Sequence, residues 1–293
     1  MGAQSKAAKR IAHMAQMACL LEVSAPKPGN VNRQHDFADS RFEDFLLSAL
    51  AIGPALEKAG RASIGQTILR ATRDTRRSVG TNTNLGIILL LAPLAKACLL
   101  DQGGQAINIE KLRQALGELL SNLTVEDAQK AYAAIRLAYP GGLGQSAQAD
   151  VAQQPAITLY QAMLLAQERD AVAREYVTDF AITFTIGYPA LRDAREGGAE
   201  LSMAIVQAYL SILRKVPDTL IARKRGFDVA NQVSGWAAQV LDAGGVFTEQ
   251  GLQALATFDQ RLRDEGHTLN PGTTADLTTA SLFLFLHGKF ISI

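Results

Sequence analysis

The chain has 293 residues, a formal net charge of +1, and 48% hydrophobic against 19% charged residues. This balance excludes a disordered tail protein and supplies enough apolar side chains for a large core. A charge near zero, with no basic run, gives no sign of a nucleic-acid-binding surface, so no nucleic-acid partner is expected.

No segment has the pattern of a membrane span. The most apolar run, residues 85–100, is interrupted by Pro93 and Lys96 and is shorter than the ~20 residues that a span requires. It is predicted to be a helix at the centre of the core. Cys19 and Cys98 lack the spacing of a metal or redox motif and are expected to be buried, reduced thiols. We therefore expect a cytoplasmic protein without membrane contact.

A helix predicted over residues 5–24 delivers Glu22 to a rigid polar loop. Pro26 and Pro28 bracket Lys27 in this loop and restrict its backbone path. Further polar or flexible residues follow: Gly29, Asn32, Arg33, His35 and Asp36. A stiff backbone with a cation and several hydrogen-bonding groups suits an anion-binding wall. A simple turn between helices is the alternative, because turns also collect Pro, Gly and Asn.

The next two helices are predicted from a cap and from a charge pattern. Ser40 followed by Glu43 forms a capping box at the start of the second helix. The third helix, residues 63–78, is rich in arginine, and most of these arginines are expected to form a solvated face.

A run of four polar residues, Thr81 to Asn84, lies between Gly80 and Gly86 and leads directly into the apolar helix of residues 87–100. The N-terminus of a helix offers free N–H groups and the positive end of its dipole to an anion. The spacing of a P-loop is absent. An N-cap with a tight turn is the alternative, although it does not require four polar residues.

The middle of the chain is predicted to be helical around one glycine-rich segment. The predicted helices are 109–121, 124–138, 156–175, 176–186 and 199–215. Tyr139-Pro-Gly-Gly-Leu-Gly-Gln-Ser follows the second of these, and its glycines would allow a close backbone approach to a ligand or a mobile linker.

Two acidic residues stand out near the C-terminus. Asp218 precedes three consecutive cations that include Lys224. Helices are predicted over 227–243 and 248–265. Asp276 ends a Pro-Gly turn that leads into a closing helix over 277–287, where it serves either as a cap or as a site residue.

No stretch alternates as a strand does over a length that could build a sheet, and no linker or repeat divides the chain. The sequence therefore predicts an all-α fold of ten to fourteen helices, arranged as a single domain over residues 1–293.

Five segments together resemble a known family. They are EVSAPKPGNVNR (22–33), DFLLSALAI (44–52), GTNTNLG (80–86), PDTLIARKRG (217–226) and NPGTTADL (270–277). In this order they resemble the triphosphoribosyl-dephospho-coenzyme A synthase family, whose members are all-helical. Asn30 and Asn32 stand where the family usually has Leu and Asp, and Asn84 stands where it usually has His. The chain therefore resembles a divergent branch.

The resemblance implies attack by the ribose 2′-hydroxyl of dephospho-CoA on C1′ of the ATP ribose, with release of adenine, in the biosynthesis of a cofactor. For this reaction we predict a general base at Glu22 or Asp36. The residues predicted to bind ATP and its phosphates are Lys27, Gly29, Asn32, Arg33, Thr81, Asn82, Thr83, Asn84 and Lys224. Mg²⁺ is expected with ATP and prefers oxygen ligands, so Asp218 and Asp276 are the predicted metal ligands.

The sequence is also compatible with other functions. Related ribosyl transfer to another acceptor, in another cofactor pathway, fits the departures from the family motifs. His13 and the adjacent His35-Asp36 suggest a metal-dependent phosphohydrolase of the HD type. A non-enzymatic helical nucleotide-binding protein is a further alternative. The sequence also leaves a homo-oligomer open.

Overall fold

A computed structural model describes residues 2–100, 108–140, 148–263 and 266–290 of the chain. Within these ranges the secondary structure is helical, and no strand is present. The first helices are α1 (Gly2–Ser24), α2 (Phe42–Ala51), α3 (Gly53–Leu56), α4 (Ile64–Ser78), α5 (Leu85–Leu100), α6 (Ile109–Ser121) and α7 (Val125–Ala138). The later ones are α8 (Leu159–Ala166), α9 (Ala171–Val177), α10 (Tyr188–Glu196), α11 (Leu201–Lys215), α12 (Thr219–Arg225), α13 (Phe227–Asp242), α14 (Glu249–Leu262) and α15 (Gly272–Phe290).

The all-α prediction is confirmed. Fifteen helical segments occur in the described ranges, and one of them, α3, is a single turn of four residues. The remaining fourteen agree with the upper end of the predicted number. No helix in the described part of the chain is long and apolar enough to cross a membrane. The single-domain organisation stays a prediction.

Helix α5 lies at the centre of the core, as predicted. Twelve of its sixteen residues are buried, so it has no polar face to offer to water. It packs against α1, α4, α6 and α15. Helix α15 in turn contacts α1, α10 and α11. Helices α1, α5 and α15 therefore form the central group, which fixes the relative positions of their ends.

Two simpler predictions about side chains are also confirmed. Cys19 and Cys98 are buried, and neither forms a disulfide. The arginines of α4 are exposed, at positions 70, 73, 76 and 77.

Several predicted boundaries are wrong, for local reasons. The box that starts α2 is formed by Arg41 and Asp44, not by Ser40 and Glu43: the Arg41 N–H donates to Asp44 Oδ2 at 2.9 Å. The predicted helix 156–175 is two helices, because Asp170 caps the second of them through a 2.8 Å bond from the Val172 N–H.

The later boundaries shift as well. The predicted helix 176–186 is a tight turn followed by a π-helical segment, Thr183–Gly187, and α10 was not predicted. The closing helix begins at Gly272 rather than 277, because the Pro271 carbonyl already accepts the Ala275 N–H at 3.2 Å. The acids and hydroxyls expected in a loop therefore lie on the first turns of α15.

Candidate active site

A cavity of about 490 Å³ lies where the end of α1 meets the beginnings of α5 and α15. The loop after α1, the end of α7, the start of α9 and α12 complete its walls. Its volume is within the range of small-molecule sites. Each of the five segments that carried the family resemblance contributes to the lining; the contributing residues include Glu22, Phe45, Asn84, Lys224 and Asp276.

One wall is built on a buried ion pair. Glu22 borders the cavity with 4% of its surface exposed, and Lys27 is fully buried behind it. Lys27 Nζ lies 3.1 Å from Glu22 Oε1 and donates to the backbone carbonyl of Glu22 at 2.6 Å. The ammonium thus pairs with the carboxylate and also donates to a carbonyl in the last turn of α1, which accepts the Ala25 N–H as well. Apart from this ion pair, Glu22 Oε1 has no hydrogen-bond partner within the described residues.

A second part of the lining carries the carboxylate of Asp276. It lies so close to the first turn of α5 that a Cβ atom at Gly86 would overlap Asp276 Oδ2. Glycine at this position therefore permits α5 and α15 to meet. No hydrogen bond to the Asp276 carboxylate occurs among the residues that the structure describes, so the group faces the cavity without a protein donor.

Burial and like charge shape the electrostatics of these acids. Burial raises the pKa of Glu22 above its usual value, and the neighbouring Lys27 ammonium partly offsets this. Burial also lowers the pKa of Lys27. The pKa of Asp276 is raised well above its usual value, first by burial and then by the negative charges of Glu22, Asp218 and Asp170. The cavity thus holds two carboxylates whose ionised forms lack full compensation, an arrangement often found at functional sites.

The polar run before α5 is partly tied to α2. The side chains of Thr83 and Asn84 hydrogen-bond to Ser48, Thr83 through the two hydroxyl groups and Asn84 to the carbonyl at 3.3 Å. Asn82 Oδ1 accepts the Leu85 N–H at 3.2 Å and so caps the helix. These contacts hold the N-terminus of α5 against the cavity.

Cationic groups lie on the α12 side. Arg223 Nη1 is 2.9 Å from Asp170 Oδ2, and its buried Nε has no hydrogen-bond partner in the described residues. Lys224 is exposed at the rim and donates to the His267 carbonyl at 3.2 Å. The His267 ring stacks on Phe37, with centroids 3.9 Å apart. A lining that contains both carboxylates and cations suits a metal-bound polyphosphate.

A family model described as ATP:dephospho-CoA triphosphoribosyl transferase matches residues 8–291 of this chain. The chain belongs to this family.

Relatives of known name agree with this assignment. A protein of Stutzerimonas stutzeri (strain A1501), assigned as a 2-(5''-triphosphoribosyl)-3'-dephosphocoenzyme-A synthase, is 27% identical over 95% of this chain and 91% of its own length. A Klebsiella pneumoniae synthase of the same name is 26% identical, with 94% and 93% covered. A crystal structure assigned as a triphosphoribosyl-dephospho-CoA synthase from Archaeoglobus fulgidus superposes with a TM-score of 0.60 at 29% identity, and covers 82% of this chain and 96% of that one.

The cavity of this transferase-family chain brings together seven of the residues predicted from sequence. They are Glu22, Thr81, Asn82, Thr83, Asn84, Lys224 and Asp276. These residues come from both ends and from the middle of the chain, so the cavity joins distant segments; their roles stay predictions.

Lys27, Gly29, Asn32 and Arg33 lie outside the lining. Lys27 is enclosed behind Glu22. Gly29 has a left-handed backbone (φ 69°) and packs against Leu262, so a side chain there would collide with α14. Asn32 is buried and accepts the Gln34 N–H within its own turn, whereas Arg33 is exposed. In this structure, the first three hold the shape of the loop rather than face the cavity.

Two predicted acids also lie outside the lining. The exposed Asp36 accepts the Phe42 N–H at 2.7 Å and caps α2. Asp218 accepts four hydrogen bonds, from the N–H groups of Leu220 and Ile221 and from the N–H and hydroxyl of Thr274. Asp218 therefore fastens α12 to α15, and both of its carboxylate oxygens are engaged.

The structure adds residues that sequence reasoning missed. Asp170, Arg223, Phe37 and His267 all line the cavity. Arg223 lies in the segment PDTLIARKRG (217–226), one position before Lys224, which the sequence predicts as a phosphate ligand. A capping acid at 170 could have been found from the helix start that follows it; the Phe37–His267 stack joins residues too distant for any local pattern. Residues 141–147 of the glycine-rich segment lie outside the described residues.

The predicted Mg²⁺ site depends on a small number of carboxylate oxygens. The described residues contain no group of three or more His, Cys, Asp and Glu side chains arranged to hold a metal. This argues against the HD-type arrangement, since His13 and His35 are exposed. Mg²⁺ is commonly held by one or two carboxylates together with substrate phosphates. Asp276, which has no protein donor, fits that requirement.

Proposed function

We propose that this chain transfers the 5-triphosphoribosyl group of ATP to the 2′-hydroxyl of 3′-dephospho-CoA and releases adenine. The observation that carries the proposal is the convergence of all five family segments on one cavity, whose lining contains both carboxylates and cations. The family to which the chain belongs, and the relatives named above, support the same reaction.

The reaction breaks the bond between C1′ of the ATP ribose and adenine, and forms a bond from the acceptor oxygen to C1′. The hydroxyl proton goes to a base and from there to solvent, while the departing adenine gains a proton. Positive charge develops on the ribose, so nearby carboxylates stabilise the transition state. Glu22 is the base that we propose, because it borders the cavity and burial raises its pKa. Asp36 is occupied in capping α2.

The triphosphate would bind between the N-terminus of α5 and Lys224 of α12. Free N–H groups at a helix start favour anions, and Lys224 supplies positive charge in the same lining. Mg²⁺ bound with the nucleotide would offset phosphate charge, and Asp276 would hold it. ATP and dephospho-CoA are metabolites of the cytoplasm, which supports that location for the chain.

The test is incubation with ATP, Mg²⁺ and dephospho-CoA, followed by chromatography for free adenine and mass spectrometry of the modified acceptor. Adenine and a triphosphoribosylated acceptor should appear together, in equal amounts. Release of ADP or phosphate in place of adenine would reject the reaction. Adenine release with a different nucleoside acceptor, and none with dephospho-CoA, would retain the chemistry and change the acceptor.

A further inference from the structure

A second, smaller pocket opens beside the candidate active site. It has a volume of about 170 Å³ and lies between α5, α7, α8 and α9. Its lining is mainly apolar; the residues that matter here are Leu89, Ile135, Leu159, Ala162, Met163 and Ala166. An apolar hollow of similar size, about 150 Å³, can hold a benzene-sized group. The reaction as described assigns no role to this pocket.

The two cavities adjoin. Leu89, Ile135, Val172 and the Asp170–Arg223 pair line both of them. A ligand could therefore extend from one into the other past this ion pair. Arg223 has a buried Nε–H without an acceptor in the described residues, although its Nη1 is paired with Asp170. The junction thus offers an unused donor on a cationic group, next to one acid.

The order of a polar cavity, a cationic junction and an apolar pocket matches the chemical structure of dephospho-CoA. Dephospho-CoA is a nucleoside joined by a diphosphate to the long, uncharged pantetheine arm, and the arm begins with a branched gem-dimethyl unit. Its ribose hydroxyl must reach the reacting carbon in the larger cavity. The diphosphate then falls beside Arg223, and the branched apolar unit falls in the smaller pocket. ATP lacks an apolar branch and has no group of this kind.

We propose that the pocket between α7, α8 and α9 binds the first part of the pantetheine arm of dephospho-CoA. This inference rests on the proposed function for the choice of acceptor, but it concerns binding and can be tested without turnover. Each methylene that is kept in water rather than buried lowers affinity by about fourfold.

The test compares binding of dephospho-CoA with binding of ADP, which is the same nucleotide half without the arm, by titration calorimetry. Ala166→Phe fills the pocket from the end of α8, where the residue is only partly buried. Leu164→Phe is the matched control, because Leu164 is exposed on the same helix and lies outside the lining. Thermal melting checks that both variants fold, and Ala162→Leu provides a second, smaller filling change.

Ala166→Phe should raise the Kd for dephospho-CoA roughly tenfold or more, through loss of several buried groups. Its Kd values for ADP and ATP should stay within about twofold of wild type, as should every value for the control. An unchanged Kd for dephospho-CoA in both filling variants would overturn the inference, as would an equal loss of ADP affinity or a selective loss of ATP affinity. Failure of wild type to bind dephospho-CoA would also overturn it.

The two proposals fail separately. If adenine is released but the filling variants bind dephospho-CoA normally, the transfer reaction stands and the pocket assignment falls. If the filling variants lose dephospho-CoA affinity while no adenine is released, the arm site stands and the proposed reaction falls.

Discussion

Glu22 and Lys27 form a buried pair in which only Glu22 borders the cavity. Glu22→Gln should lower kcat by roughly 10²- to 10⁴-fold, the usual contribution of a positioned acid–base group, with little change in the KM for ATP. The substitution also leaves the Lys27 charge buried without its partner, which costs about 3–5 kcal/mol of stability in comparable pairs. Adenine release and urea unfolding measure the two effects.

A double variant separates the two effects. Glu22→Gln with Lys27→Met removes both charges and should recover most of the lost stability, while adenine release stays low. Recovery of adenine release in the double variant would show that Glu22 matters only as the partner of Lys27, and would remove the proposed base.

We expect the Asp276 carboxylate to lower the stability of the fold while it supports Mg²⁺-dependent binding of ATP. Burial and neighbouring negative charges raise its pKa, so its ionised form costs free energy in the empty cavity. Asp276→Asn should therefore raise the melting temperature, while the dependence of ATP binding on Mg²⁺ is lost. Asp39→Asn, at an exposed position of the same lining, is the control. A lower melting temperature, or an unchanged response to Mg²⁺ in calorimetry, would contradict this assignment.

Lys27 shows how far sequence reasoning reaches at the level of a single residue. A cation between two prolines predicted a phosphate ligand, and the motif did belong to the site. The direction of the side chain depends on Glu22, five residues earlier, and on the end of α1, which together enclose the ammonium. The local sequence pattern predicted that this segment lies at the cavity. The direction of the Lys27 side chain depends on packing, which only the complete fold shows.

At the level of elements, the contact between the starts of α5 and α15 depends on Gly86. Gly86→Ala would place a methyl group against the Asp276 carboxylate and push the two helices apart. We expect a loss of Mg²⁺-dependent ATP binding together with a lower melting temperature. Gly80→Ala in the same loop is the matched control, because a Cβ there meets no atom within 4 Å. Equal behaviour of the two variants in binding and melting would contradict the role of this contact.

Helix α9 contains a buried acid, Glu175, that should make stability depend on pH. Glu175 accepts the N–H groups of Ile182 and Thr183 at 2.8 and 2.9 Å, and burial raises its pKa to about 7. The folded state then binds more protons than the unfolded state between about pH 4.5 and 7. The free energy of unfolding should therefore fall as pH rises through this window, by at most ~1.4 kcal/mol per unit.

Urea unfolding from pH 5 to 8 measures this slope. Glu175→Gln should make this slope shallower, because the other buried acids still contribute, whereas Glu168→Gln at an exposed position should leave it unchanged. The same slope in all three proteins would assign the pH dependence to other groups.

Helices were predicted well where their own residues carry the signal. Boundaries at α6 and α7 follow from Asn108 and Thr124, whose side chains accept the N–H groups of Lys111 and Asp127. The turn at 178–180 was missed because it is held by Arg113, whose side chain donates to the Thr178 and Asp179 carbonyls from α6. Arg113 lies more than sixty residues before this turn, so the contact leaves no pattern in the local sequence.

At the level of the whole molecule, the candidate site joins elements from both ends of the chain, since Glu22 ends α1 and Asp276 lies near the start of α15. A ligand that binds only the folded state stabilises it by about 2.7 kcal/mol at a hundredfold excess over its Kd. We expect the stabilisation by a bound nucleotide to be distributed over segments that are far apart in the sequence.

Hydrogen exchange monitored by mass spectrometry tests this expectation directly. Adding Mg²⁺ and ATP should slow exchange together in segments 22–40, 80–87, 219–224 and 270–276, because the nucleotide contacts or orders all of them. Helix α6 lies outside the lining and should be unchanged. The same experiment on Asp276→Asn should show no coordinated protection. Protection confined to one of the four segments would mean that ATP does not occupy the shared cavity, and the transferase geometry proposed for this chain would have to be abandoned.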